Sequence, residues 1–270
     1  MVLDAASLSD GEMLSITREM SYSETSFVLG NGSGGFNVRI FTPEGEIPFA
    51  GHPTLGTAFV ILKEVLQKPR REIVLNLKGG RVPVRVEGGS KGGSGEEFFW
   101  MTHPEGNFGE TLSKEQAALA LNVESGDLMP NAPVIDVSTG FPYFVVPLRN
   151  LEALARAAVN TGLCAGLTAE TRAKAFLLFC PEALSEKNDL TMRVFCHYYG
   201  IPEDPATGSA AGCLGEYLLK YDLFRGEGID IRAEQGHQVK RPSLLRIRGR
   251  RGERVSVGGR IFKVASGSLL

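Results

Sequence analysis

Gly200-Ile-Pro-Glu-Asp-Pro-Ala-Thr-Gly-Ser-Ala-Ala-Gly-Cys213 has an imperfect earlier copy in the same chain, over residues 47–58. Laid without gaps, His52-Pro-Thr-Leu-Gly-Thr-Ala58 falls on Asp204-Pro-Ala-Thr-Gly-Ser-Ala210, with Pro, Gly, Ala and a hydroxyl residue in register. Upstream, Arg39-Ile-Phe41 falls on Arg193-Val-Phe195 and Ile47-Pro48 on Ile201-Pro202, with two extra residues in the first copy just before His52. Downstream, Ile73-Val-Leu-Asn-Leu77 before Gly79 resembles Ile229-Asp-Ile-Arg-Ala233 before Gly236. The repeated unit is about half the chain, far longer than a solenoid repeat. It predicts two similar lobes, residues 1–126 and 127–270, with the C-terminal strand able to pack back on the first.

Each copy reads strand, tight loop, helix. Arg-apolar-Phe ends an extended run, and Pro48 or Pro202 breaks it. His52 or Asp204 then stands where an N-cap belongs, with Pro53 or Pro205 at the first helical position, where a missing N–H costs nothing. The small residues that follow let each helix approach other backbone closely and leave its first N–H groups uncovered. The positive end of the dipole can then hold an anion such as a carboxylate. Two ordinary capped helices would carry similar residues. One end bearing His and the other Asp suggests instead a single site served by both halves.

The composition excludes several classes. A chain of 270 residues with 43% hydrophobic content can build real cores. A net charge of −2 gives no global reason for nucleic-acid or membrane binding. The basic run from Lys240 to Arg254 contains Arg246-Ile-Arg248, which alternates as a solvated strand does. Four cysteines, at 164, 180, 196 and 213, make no C-x-x-C pair, so neither a zinc knuckle nor a disulfide framework is expected. Reduced thiols, no spanning apolar run and no leader pattern at Met1 imply a soluble, cytoplasmic protein.

Along the chain, Met1-Val-Leu3 reads as a strand end, and Ser9 caps a helix carrying Met13 to Met20. The second half has a longer counterpart: Val134 to Val137, the turn Ser138-Thr-Gly-Phe-Pro142, then Tyr143 to Val146. The duplication leads to the expectation that a strand and a Gly/Pro loop are missing before Met1, the start being either truncated or one from which this copy has lost them. Glu24 sits among hydroxyl residues just before the apolar Phe27-Val-Leu29, an unusual place for a carboxylate. A hairpin loop at 30–35 leads to a strand over 36–41. The first-copy helix runs from Pro53 to about Gln67 and is stopped by Pro69. Strands follow at 73–77 and 81–87, then a flexible tip over 88–95 and a strand over 97–102. Ser113-Lys-Glu-Gln116 is a capping box, and 124–130 reads as the linker between lobes. The second half predicts a helix at 149–159, strands at 174–180 and 190–195, a helix at 205–220, and strands at 229–233, 244–248, 253–257 and 261–264.

For chemistry, Gly51-x4-Gly56-Thr57 fits the spacing of a phosphate loop but lacks its Lys. Ser209 has no G-x-S-x-G elbow and suits an anion-binding donor better than a hydrolase nucleophile. A dinucleotide fingerprint is also absent. What remains is a set of proton-transfer groups, Glu24, His52 and Asp204, beside two helix starts.

Ser23-Glu-Thr, Phe49-Ala-Gly-His-Pro-Thr-Leu-Gly-Thr57, Glu203-Asp-Pro-Ala-Thr-Gly-Ser-Ala-Ala211, Glu234-Gln-Gly236 and Arg241-Pro-Ser243 together resemble the phenazine-biosynthesis PhzF-like family over nearly the whole chain. The resemblance implies an α/β (α+β) architecture of diaminopimelate epimerase-like fold. It would have two pseudo-symmetric lobes, each a mixed barrel-like sheet around a central helix, with the active site in the cleft between them. It further implies a cofactor-independent, metal-free isomerase acting on a small carboxylate, and a homodimer. Glu24 matches the acid/base carboxylate, His52 and Asp204 the flanking groups, and Gly51, Gly208 and Ser209 the carboxylate-binding loops. The epimerase's paired thiols would fall at Ala50 and Pro205, so two-thiol racemisation is not available. Burial is expected to raise the Glu24 carboxyl toward working pH. A rival reading is a non-catalytic carboxylate-binding protein of the same fold.

Overall fold

The computed structural model describes residues 1–66, 70–88 and 97–269. The expected helix stop at Pro69 and most of the flexible tip after Gly88 lie outside them. The chain divides into two compact units, Met1–Thr102 with Gly258–Leu270, and His103–Val257.

In the first unit, Val2 makes a single parallel bridge to Phe27. Helix α1 (Asp10–Met20) starts on a full capping box, with the Ser9 side chain accepting from Glu12 N and the Glu12 side chain accepting from Ser9 N. Strands β1 (Thr25–Gly32), β2 (Gly35–Thr42) and β3 (Gly45–Ile47) form consecutive antiparallel pairs. Helix α2 (Gly51–Val60) follows and ends in a π-helical turn, Ile61–Val65. Strands β4 (Glu72–Leu77), β5 (Gly80–Gly88) and β6 (Glu97–Thr102) complete the order β1-β2-β4-β5-β6, in which β2 and β4 run parallel. Burial alternates along β4 and β5, as expected for strands with one face inward. Val38, Ile40, Leu75, Val84 and Met101 close on Leu55, Ala58 and Ile61 of the helical stretch. On the other face, Phe27 and Phe41 pack with Met13 of α1.

The second unit repeats this plan with additions. It contains β7 (Asn107–Leu112), α3 (Lys114–Leu121), β8 (Val134–Ser138), β9 (Pro142–Pro147), α4 (Leu151–Arg156), α5 (Thr161–Thr168), β10 (Ala175–Cys180), β11 (Leu190–Cys196), β12 (Ile201–Asp204), α6 (Gly208–Lys220), β13 (Gly228–Gln235) and β14 (Ser243–Arg250). Its strand order is β14-β13-β11-β10-β9-β8-β7, with β12 on β11. Every residue of β10 and β11 is buried, because one face meets α6 and the other meets α3, α4 and α5. Helix α6 is buried from Gly208 to Leu219 except at Glu216, the pattern of a helix enclosed on all sides. A Cβ at Gly215 would lie 2.7 Å from Val255 Cγ1, so glycine sets how closely that segment approaches. The last strand, β15 (Ser256–Gly259), begins in this unit and ends in the first.

Four differences from the sequence expectations have local causes. The division falls at 102/103 and not 126/127, because α3 buries Ala117 and Leu121 in the second unit's core. The expected linker at 124–130 is likewise internal: Leu128 is buried and bridges Leu148. The helix expected at 149–159 ends at Arg156, where Ala157 turns extended, and the separate α5 follows, capped by Asn160. Residues 261–264 form no strand, and the last strand is Ser256–Gly259 in place of 253–257. All four cysteines are buried and none forms a disulfide, Cys196 and Cys213 lying within the α6 core. No helix among the described residues is long and apolar enough to cross a membrane.

The duplication also repeats an ion pair. Arg39 forks onto Glu46 at 2.9 and 3.0 Å and stacks over Phe41; Arg193 forks onto Glu203 at 3.0 and 2.7 Å and stacks over Phe195. The second pair is the more buried, at 8% and 10% exposure against 23% and 15%, and Arg193 Nη1 also donates to Leu154 O and Ala157 O. Removing one partner of a buried pair leaves an uncompensated charge. Glu203→Ala is therefore expected to cost about 3–5 kcal/mol in urea unfolding. Glu46→Ala, which leaves Arg39 with Asp10, is expected to cost about 1 kcal/mol. Equal losses would show that burial does not separate the two copies.

Candidate functional site

Glu24 immediately precedes β1, where the chain enters the sheet edge next to α1. Its side chain is largely buried, at 13% exposure, and His52 Nε2 lies 3.2 Å from its Oε2. That oxygen has no well-aligned hydrogen-bond donor, so the contact is that of an ion pair and not a formed hydrogen bond. His52 is about half exposed. It is the second residue of α2 and not its N-cap: Ala50 takes that place with extended backbone, and no side chain caps the helix. The imidazole reaches across to Glu24, so it does not turn back on its own helix. Gly51, the first residue of α2, is buried.

Burial and pairing act on Glu24 in opposite senses. Burial pushes the carboxyl up, but His52 and the Ser23 hydroxyl outweigh it and hold the group below its ordinary value of 4.5. This reverses the expectation from sequence, which weighed burial alone and not the imidazole partner.

In the second unit, Asp204 ends β12 and does not cap α6. The helix starts four residues later at Gly208, with Thr207 at the N-cap position. The Thr207 hydroxyl donates to Asp204 Oδ2 at 2.5 Å, and Thr207 N–H donates to Gln235 Oε1 at 2.9 Å. The Gln235 bond explains the shifted start, because it satisfies a donor that a capping Asp204 would otherwise have taken. Gly208 and Ser209 are the first two helical residues, both buried, and their N–H groups precede the first intrahelical bonds. The Ser209 hydroxyl shares a 2.8 Å hydrogen bond with Tyr143 OH, whose phenol burial raises well above its ordinary value.

Some site residues escaped the sequence. Gln235 stood inside the quoted Glu234-Gln-Gly236 without a role. Tyr143 and Thr207 looked like ordinary strand and loop residues, since only tertiary packing brings them to Ser209 and Asp204. His103 is fully buried against Gly212, with Nδ1 3.0 Å from Thr139 Oγ1, and burial lowers its imidazole to about 4. Cys213 lies beside the same Thr139, its thiol pushed up to about 12 by burial, which makes it a packing residue and not a nucleophile. No cluster of metal-ligating side chains occurs among the described residues.

Residues 1–267 match the family described as phenazine biosynthesis-like protein, PhzC-PhzF. The chain belongs to that family. An uncharacterized isomerase of Mesorhizobium japonicum is 31% identical to it across 100% of this chain and 92% of the relative. A protein of Pseudomonas aeruginosa described as a predicted epimerase is similar at 32% identity and a TM-score of 0.82, covering 100% of this chain and 92% of that one. The phenazine biosynthesis protein of Bacillus anthracis, PhzF family, gives 27% identity and a TM-score of 0.84, over 95% and 88%. The fold is accordingly the mixed α/β, diaminopimelate epimerase-like fold of PhzF proteins.

The Glu24 geometry has a measurable sign. A carboxyl held below 4.5 in the folded state contributes stability that is fully present above 4.5 and is lost as pH falls through the folded value. The stability difference between the wild type and Glu24→Gln, measured by urea unfolding from about pH 3 to about pH 7, should favour the wild type most at neutral pH and shrink on acidification. A difference that grows in the wild type's favour on acidification would show that burial prevails over His52.

Proposed function

We propose that this PhzF-family chain is an isomerase that moves a proton within a small carboxylate by acid/base transfer and needs no cofactor. The observation that carries this reading is the Glu24–His52 pair: a buried carboxylate oxygen without an aligned donor, 3.2 Å from a half-exposed imidazole. A buried carboxylate whose imidazole partner is not fully aligned keeps an oxygen open to a substrate, and its retention calls for a reason. Reaction with a substrate C–H supplies one. With its carboxyl held below 4.5, Glu24 rests ionised near neutral pH, the form that accepts a proton.

In this reading Glu24 removes a proton from carbon and returns it to a nearby carbon on the same face. His52 orients the carboxylate and shares the proton, and Asp204 is the second proton-handling carboxyl of the reaction. Gly51, Gly208 and Ser209 offer N–H groups at helix starts, which favour the substrate's carboxylate. The names of relatives, isomerases and an epimerase, support an isomerase. Four buried cysteines, none in a disulfide, are consistent with the proposed cytoplasmic location.

The test is solvent-deuterium incorporation at carbon across a panel of small carboxylates, with a binding titration alongside. Glu24→Gln should lower exchange by about 10²–10⁴ while carboxylate binding persists. Unchanged exchange would remove Glu24 from the chemistry. Loss of binding together with exchange would make it a substrate-positioning group. Carboxylate binding by the wild type with no exchange on any substrate would favour the non-catalytic alternative.

A further inference from the structure

Gln235, the last residue of β13, is fully buried and holds both ends of the loop that carries Asp204. Its Oε1 accepts from Thr207 N–H at 2.9 Å; its Nε2 donates to Asp204 O at 2.6 Å and to Thr207 Oγ1 at 2.9 Å. These contacts fix the direction of every proton in the group. A backbone N–H can only donate, so the amide oxygen must face it, and the amide NH2 then faces the Thr207 hydroxyl. That hydroxyl, accepting from Gln235, directs its own hydrogen to Asp204 Oδ2, 2.5 Å away, a distance suited to a hydroxyl bonded to a carboxylate. Gly236 makes the approach possible: its φ is +83°, and a Cβ there would lie 2.6 Å from Pro205 O.

The duplication supplies an internal control. Arg39 and Arg193 align β2 with β11, and the parallel partners Asn37–Asn76 and Thr191–Glu234 then align β4 with β13. This pairing shifts the alignment of β4 on β13 by two residues from the one read from sequence, so that Leu77 stands where Gln235 stands, and Leu55 where the ungapped alignment puts Thr207. Both leucines are buried in one apolar core. The same chain thus fills these positions with apolar packing in one unit and with a buried polar network in the other. A network of this kind is costly unless every member is satisfied, and here it reaches Asp204 twice, through Gln235 Nε2 to the backbone O and through the Thr207 hydroxyl to Oδ2.

We propose that Gln235, acting through Thr207, is a positioning residue that keeps Asp204 Oδ2 a hydrogen-bond acceptor and so holds the Asp204 carboxyl in its ionised, proton-accepting form. Its bearing on catalysis rests on the reading of Asp204 given above; the relay itself does not. Among the described residues, Tyr143 feels Asp204 together with Cys196 and Cys213, and the adjacent Glu203 carboxylate is committed to Arg193.

The relay can be judged without activity, by carbon NMR titration of the Asp204 carboxyl, its resonance assigned by its loss in Asp204→Asn. Thr207→Val removes the donor and should move the midpoint up by about one pH unit or more, as expected for loss of a hydrogen bond to a charged group. Gln235→Leu, which installs the first unit's residue, should move it in the same direction. Thr207→Ser keeps the hydroxyl and should stay near the wild-type midpoint. If Gln235→Leu does not fold, the contrast between Val and Ser at 207 decides. An unmoved midpoint in Thr207→Val overturns the proposal, as does an unmoved midpoint in a folded Gln235→Leu. Deuterium exchange on the same proteins separates the two levels. Full exchange in Asp204→Asn would remove Asp204 from the reaction while the titration still decides the relay.

Discussion

A helix enclosed by its own sheet cannot hand its first N–H groups to water, so the chain has to answer them or keep them for a ligand. Helix α6 is buried along nearly its whole length, and the solution at its start is visible. Gln235 takes the N–H of Thr207, while Gly208 and Ser209 begin the helix with backbone donors ahead of the intrahelical ladder. Helix α2 meets the same constraint without any side-chain cap and places His52 in its first turn. Of the groups proposed for chemistry, Gly51 and His52 stand in the first turn of α2, and Gly208 and Ser209 in the first turn of α6.

The duplicated plan explains why these starts are held so firmly. In each unit an Arg-apolar-Phe strand aims its guanidinium at a Glu on the next short strand and lays it over its own Phe ring. The fork ties the strand before the loop to the strand that leads into the helix. In the second unit the same Arg193 also takes carbonyls from the end of α4, which binds an added helix to the repeated core. Loop geometry near Asp204 is thus set by residues that carry no chemistry.

The two units treat their candidate carboxyls, which are not counterparts in the duplication, differently. Glu24 is buried and held ionised chiefly against the cost of burial, by an imidazole that remains half exposed. Asp204 is answered by a neutral hydroxyl, itself oriented by a buried amide. An imidazole can exchange protons with a carboxylate near neutral pH, whereas an alcohol can only donate a hydrogen bond to one. That difference in partners is the physical basis for giving the two carboxyls different tasks.

The amino-acid sequence by itself determined the duplication, the strand-loop-helix plan, the Ser9 cap of α1 and the capping box of α3, the family resemblance and the choice of Glu24, His52, Asp204, Gly51, Gly208 and Ser209 as candidates. These were legible because capping, periodicity and repetition are local signals that survive without three-dimensional context. The tertiary structure alone decided where α6 begins, that 124–130 is interior, and that the Glu24 carboxyl is lowered and not raised. It also revealed the Gln235–Thr207 relay. Each of these depends on a partner distant in sequence: Gln235 lies 28 residues from Thr207, and His52 stands on the helix that follows three intervening strands. Local pattern specifies which residues are poised to act, but their hydrogen-bond partners and ionisation belong to the packed chain.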